Sequence, residues 1–308
     1  MLHGARPGLA VTISGLALIA CTYGLARYAY GLFLPVFHDE FSLSGAIAGA
    51  IAAGGFTAYC LAAALAHRLV GRGRARQAAT LAGGLAALGC AGIAVAPSSW
   101  WLSASVLVAG SGAGLASPAL VALVDSAVPE LRRARAQAVV NAGTGAGVLI
   151  SGPVALLLDE HWRMAWLCFV VLTVLATGAV VASTARSREA GSSSVEPPSA
   201  QRSLDRLRPA IVAAGLLGVG SSAVWTFGQE LAVSTVRPGT VGSILFWTLL
   251  GAAGLGGALV GDAVQRWAVA RTWLLLALSL GAATVVLALK PGDAAASYVC
   301  AIVSVPAL

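Results

Sequence analysis

Residues 77–124 read QAATLAGGLAALGCAGIAVAPSSWWLSASVLVAGSGAGLASPALVALV, 48 consecutive positions without Asp, Glu, Lys or Arg. As one helix this run would extend about 72 Å, more than twice the ~30 Å hydrocarbon core of a bilayer. Its turn signal is Ala96-Pro97-Ser98-Ser99, where proline opposes a continued helix and serine favours a cap. The run therefore divides into two membrane-spanning helices joined at Pro97. Its apolar residues are continuous rather than alternating, which excludes the strands of a transmembrane barrel.

The same grammar extends in both directions. Charge-free stretches cover Pro7 to Ala26, Phe41 to His67, Ala136 to Leu158, Met164 to Ala185, Pro209 to Gln229, Pro238 to Gly261 and Thr272 to Leu289. A last stretch runs from Ala294 to Leu308, where the sequence stops. The first span continues past Arg27 to about Phe37. The spacing predicts an all-α polytopic membrane protein with nine complete spans and the start of a tenth. Of the 308 residues, 58% are hydrophobic and 10% are charged, against about 25% charged in soluble domains. Such a chain cannot build a water-facing surface, so a soluble enzyme, a nucleic-acid module and a disordered regulator are excluded. Glycine is abundant, 37 residues, as expected where helix backbones pack closely in lipid.

The net charge of +7 is topological. With the N-terminus inside and each span crossing, 15 of the 19 basic residues fall in inside segments and 3 in outside segments, with Arg27 inside the first span. This is the positive-inside pattern, so the basic balance calls for no nucleic-acid partner. Trp100, Trp101, Trp162, Trp166, Trp225 and Trp267 lie near predicted span ends, where aromatic residues anchor at the interface. The five cysteines sit on five different spans and read as small apolar side chains. His3, His38, His67 and His161 are scattered over four segments, which argues against a metal centre, and no motif calls for a cofactor. Gly218 to Ala223 fits a loose dinucleotide-binding pattern, but that motif needs a preceding strand, and here it falls within an apolar helix.

Residues 186–209 form the long polar stretch, with Gly191-Ser192-Ser193-Ser194, Pro197-Pro198 and five arginines. It reads as a cytoplasmic linker. Six spans precede it, over 1–185, and a shorter set follows, over 210–308. Short basic loops occupy matching places in the two halves, at Ala66 to Arg74 and Gly261 to Arg266.

These features, with Gly24-Leu25-Ala26-Arg27-Tyr28-Ala29-Tyr30-Gly31-Leu32-Phe33-Leu34-Pro35, Gly143-Thr144-Gly145-Ala146-Gly147, Gly152-Pro153, Trp162-Arg163-Met164-Ala165-Trp166 and Trp225-Thr226-Phe227-Gly228, resemble the major facilitator superfamily of transporters. Within it they resemble the bacterial YbfB/YjiJ-like branch. The resemblance implies two six-span halves that alternate access to a small-solute site, in a monomer of the bacterial inner (plasma) membrane. It implies no enzyme activity. Twelve spans are the family's number, so this chain reads as C-terminally incomplete. A truncated, non-transporting membrane protein with a structural or regulatory role is the alternative reading.

The family's loop signature between the second and third spans is degraded here. His67 stands at its acidic position, followed by Arg68 and a displaced Arg72, while the second-half copy keeps Asp262 and Arg266. These five are candidates for a conformational loop. Pro118, Gly152 and Pro153 are helix-kink candidates, since a proline removes a helical hydrogen bond. Gly152-Pro153 also falls where the family's antiporter-associated motif ends, which points towards efflux.

Ionisable groups inside a membrane are costly and mark function. On an α-helix Tyr23, Arg27 and Tyr30 share one face, and a guanidinium flanked by phenols suits an anionic or aromatic solute. Trp225 and Gln229 on the seventh span complete the candidate lining. The resemblance sets the first and seventh spans face to face, so the expectation is that Arg27 and Glu230 approach each other as part of an outer gate. Glu230 is also the candidate for proton coupling.

Overall fold

The computed structural model describes residues 5–158, 161–189, 204–233, 241–264, 269–290, 293, 297 and 299–302. The regular secondary structure among these residues is all helical. The first rod is composite: α1 (Ala5–Ile19), a π-helical segment (Ala20–Tyr28) and α2 (Ala29–Phe41) follow without a break. Then come α3 (Gly45–Gly71), α4 (Ala75–Ala94), α5 (Ser99–Ala127), α6 (Glu130–Leu157) and α7 (Trp162–Glu189). After them stand α8 (Leu204–Val233), α9 (Val241–Val264) and α10 (Val269–Leu289). The break predicted at Pro97 is present between α4 and α5, where the Ser98 hydroxyl accepts from the Trp101 amide at 3.4 Å. Of the polar stretch at 186–209, the two ends are helical, in α7 and α8; 190–203 lie outside the described residues.

Among the described residues, six helices are long and apolar enough to cross a membrane: Gly8–Phe41, Gly45–Gly71, Ala75–Ala94, Ser99–Ala127, Glu130–Leu157 and Trp162–Ala185. The count of nine complete spans and part of a tenth is therefore not reached. In the second half the described apolar helices are Ile244–Gly256 and Ala277–Val286.

The rods pack through missing side chains. A Cβ on Gly24 would lie 2.5 Å from the Gly147 backbone, so the π-helical segment and α6 touch backbone to backbone within the first half. Across the halves, a Cβ on Gly145 would lie 2.7 Å from the Leu255 amide, and one on Gly31 would collide with the Trp225 carbonyl. These crossings join α6 to α9 and α2 to α8. The α6–α9 seam also holds a buried polar bond, from Trp247 Nε1 to Ser151 Oγ at 2.8 Å.

Ser151→Ala is expected to lower stability by about 1–3 kcal/mol, because it leaves that indole N–H buried without an acceptor. The same substitution in a Trp247→Phe background is expected to cost little. Thermal unfolding of the four variants in detergent checks this; equal costs in both backgrounds would show that the bond does not couple the halves.

The tryptophans differ in burial. Trp100 and Trp101 are exposed, but Trp162, Trp166 and Trp225 are buried, and Trp267 lies outside the described residues. Trp162 and Trp166 instead pack with Phe33, Phe37 and Phe41 in an aromatic cluster joining α2 to α7. At this end Arg163 donates to Glu40 at 3.0 Å and to the Ala96 carbonyl at 3.1 Å, and it lies over the Trp162 ring.

Candidate functional site

The π-helical segment decides the site. Bonding from i to i+5 brings residues five apart onto one face, where an α-helix would bring residues three and four apart. Tyr23 and Tyr28 accordingly lie with ring centroids 6.3 Å apart. Tyr30 turns away, and its hydroxyl donates to the Ala48 carbonyl of α3 at 3.1 Å. The face expected for Tyr23, Arg27 and Tyr30 on α-helical spacing is thus corrected to one carrying Tyr23, Arg27 and Tyr28.

Arg27 lies inside a cage of four rings. Its guanidinium carbon is 4.1 Å from the Tyr59 centroid, 4.6 Å from Phe56, 5.2 Å from Tyr28 and 5.7 Å from Tyr23. The hydroxyls of Tyr23 and Tyr59 are 3.1 Å apart and brace the cage between the first rod and α3. Phe56 and Tyr59 escaped the sequence reading because α3 is uniformly apolar around them. The signal present was their i, i+3 spacing, which places both on one helix face.

No carboxylate lies within ion-pair distance of Arg27 among the described residues. Cation–π contacts contribute about 0.5–2 kcal/mol each, less than an unpaired charge loses on leaving water. Arg27 is half-buried, and the cage holds its guanidinium in place with no carboxylate partner among the described residues.

The cage opens onto a cleft between the halves, lined by Arg27, Tyr28, Tyr30, Gly31, Trp225 and Thr226 among others. Measured by the space open to the centre of a water molecule it holds about 30 Å³, room for one or two waters. Tyr28 stacks on Trp225 with centroids 4.1 Å apart and planes at 23°. The Trp225 indole N–H is buried without a hydrogen-bond partner. Arg27 and Trp225 thus border one narrow space.

The other candidates are placed as follows. Gln229 is buried on α8 outside this cleft. Glu230 does not meet Arg27; it lies 3.4 Å from His38 Nδ1. The register explains this placement. The close approach of Gly31 to Trp225 fixes α2 against α8. From that crossing Arg27 lies four residues back and Glu230 five residues on, an axial offset of about 13 Å. His67, Arg68 and Arg72 are exposed at the α3–α4 turn. Asp262 lies on α9 with its side chain outside the described residues, and Arg266 lies outside them altogether. Pro118 and Pro153 stand inside the continuous helices α5 and α6. A Cβ on Gly152 would lie 2.9 Å from the Thr248 hydroxyl of α9. No group of three metal-ligating side chains occurs among the described residues.

No curated protein matches the chain. Solved structures do. A D-xylose–proton symporter aligns with a TM-score of 0.68 at 14% identity, over 96% of this chain and 79% of that one. The inward open form of the xylose transporter XylE from E. coli aligns at 0.67 and 14%, over 98% and 80%. Its partially occluded inward open form aligns at 0.66 and 16%, over 98% and 84%. At these identities the likeness shows the fold. The sequence itself matches the Major Facilitator Superfamily over residues 16–307. Helical rods of membrane-crossing length, two sets of helices meeting on glycine seams, and this match lead to one conclusion: the chain belongs to the Major Facilitator Superfamily, and is a multi-pass membrane transporter rather than an enzyme.

Proposed function

We propose that the chain is a secondary-active transporter of a small anionic solute, most simply one bearing a carboxylate, working by alternating access between 1–185 and 210–308 about the linker 186–209. The observation that carries this reading is Arg27, caged by four rings at the cleft between the halves with no carboxylate partner among the described residues. A guanidinium forks onto a carboxylate through two charge-assisted hydrogen bonds. Tyr23, Tyr28 and Tyr30 shape the walls.

In this reading α8, α9 and α10, of 30, 24 and 21 residues, are further spans. The N-terminus faces the cytoplasm of a bacterial inner membrane, and the end carrying Glu40 and Arg163 faces outward, as the arginine distribution supports. The transporter works as a monomer, coupled to protons in the direction of efflux. His67, Arg68, Arg72, Asp262 and Arg266 act at the inner loops, while Pro118, Gly152 and Pro153 let α5 and α6 bend.

Counterflow in proteoliposomes tests the reading, with radiolabelled aliphatic and aromatic monocarboxylates compared with D-xylose and with primary amines. The expected result is exchange of at least one carboxylate and of neither neutral nor cationic controls, with the rate altered by an imposed proton gradient. Preference for the neutral sugar, or exchange of none, would overturn it.

A further inference from the structure

The far ends of α2 and α8 meet at a polar contact, His38 Nδ1 to Glu230 Oε1 at 3.4 Å, with the two side chains 21% and 38% exposed. His38 Nε2 is buried and has no hydrogen-bond partner, so Glu230 is the one polar group holding this imidazole among the described residues. The charged surroundings are sparse. On its own helix Asp39 is exposed, and Glu40 is engaged by Arg163 of α7 at 3.0 Å. The charged residues described on α6 are Glu130, Arg132, Arg133 and Arg135, in its first turns at the opposite end. Tyr30 donates its hydroxyl to Ala48 of α3. The contact bridges the two halves between one and two helical turns beyond the point where Gly31 and Trp225 touch.

We propose that His38 and Glu230 form a proton-binding latch that closes this mouth of the transporter; the proposal rests on the two-half, alternating-access reading above. Histidine is the side chain that ordinarily changes charge between pH 5 and 8. Protonated, His38 forms an ion pair with Glu230 across the halves. Neutral, it can offer Nδ1–H only as an ordinary hydrogen bond, and 3.4 Å is long for one. Closing this end is therefore favoured when His38 carries a proton, and opening when it does not. An imidazolium carries two N–H donors, and here one acceptor meets them. With partial exposure as well, the grip is modest, as a gate that must reopen requires.

The test uses the full chain in nanodiscs, with Cys21, Cys60, Cys90, Cys168 and Cys300 replaced by alanine. Spin labels are placed through Ala46→Cys and Ala232→Cys, and the distance between them is read from pH 5 to 8.5. The expected result is a short and a long population, with the short one favoured roughly twofold to fivefold on acidification, the range of an exposed ion pair. His38→Gln and Glu230→Gln each remove the pH dependence, and His38→Lys holds the short distance across the range. Two populations that keep the same pH dependence in His38→Gln, or that ignore pH in the unsubstituted pair, overturn the latch while leaving alternating access standing. A single distance under every condition, including in Gly31→Val, overturns both.

Discussion

Arg27→Met is expected to lower counterflow of the recognised carboxylate at least about 100-fold. Each charge-assisted hydrogen bond contributes about 1.5–3 kcal/mol, and losing a forked pair removes some 3 kcal/mol or more, two factors of ten at 1.4 kcal/mol each. Arg27→Lys keeps the charge but loses the planar fork and the delocalised face that the rings enclose, so it is expected to fall short of wild type by about tenfold. The stability readout separates function from structure. A structural arginine destabilises when removed, because its partner is left unpaired. Arg27 has no carboxylate partner among the described residues, so Arg27→Met is expected to leave the melting midpoint unchanged or slightly raised. Retained exchange in Arg27→Met, or a drop of many degrees in its midpoint, would refute the assignment of Arg27 to the solute.

Gly31→Val is the second large effect, and its sign depends on where the glycine sits. A Cβ at position 31 collides with the Trp225 carbonyl, so a valine there cannot coexist with the α2–α8 contact. Overpacking of this kind costs about 1–3 kcal/mol. Because the seam lies between the halves, the molecule can escape by opening rather than by unfolding. The expected outcome is a folded protein held open at the His38 end, with exchange reduced at least about tenfold and cysteines introduced beside the cleft labelled faster from that side. Gly147→Val provides the contrast. A Cβ there collides with the Ala20 carbonyl and lies 2.9 Å from Gly24, inside a single half that has no open state to retreat to. It is expected to lower the melting midpoint or prevent folding. Equal melting losses in the two variants would argue that the halves do not separate at Gly31.

Much of the fold was legible because its signals are local and one-dimensional. The run at 77–124, its break at Pro97 and the polar interval at 186–209 follow from length, charge and turn chemistry. The observed helix ends at Ala94 and Ser99 fall where those signals place them. Arg27 stood out for an equally simple reason, a charge where the bilayer tolerates few. The aromatic residues show the limit: position alone did not show that Trp162 and Trp166 pack against Phe37.

The sequence alone determined that this is an all-helical membrane protein of the major facilitator type, with its candidate charge in the first rod, because composition, run length and motif spacing do not depend on how the rods pack. Only the tertiary structure decided what surrounds that charge. The π-helical segment changes the angular period, so Tyr28 replaces Tyr30 beside Arg27, and helix packing supplies Phe56 and Tyr59 from α3. The close approach at Gly31 sets the register of α8, which pairs Glu230 with His38 rather than with Arg27. Period and register are products of three-dimensional contact, and no count along a uniformly apolar chain contains them.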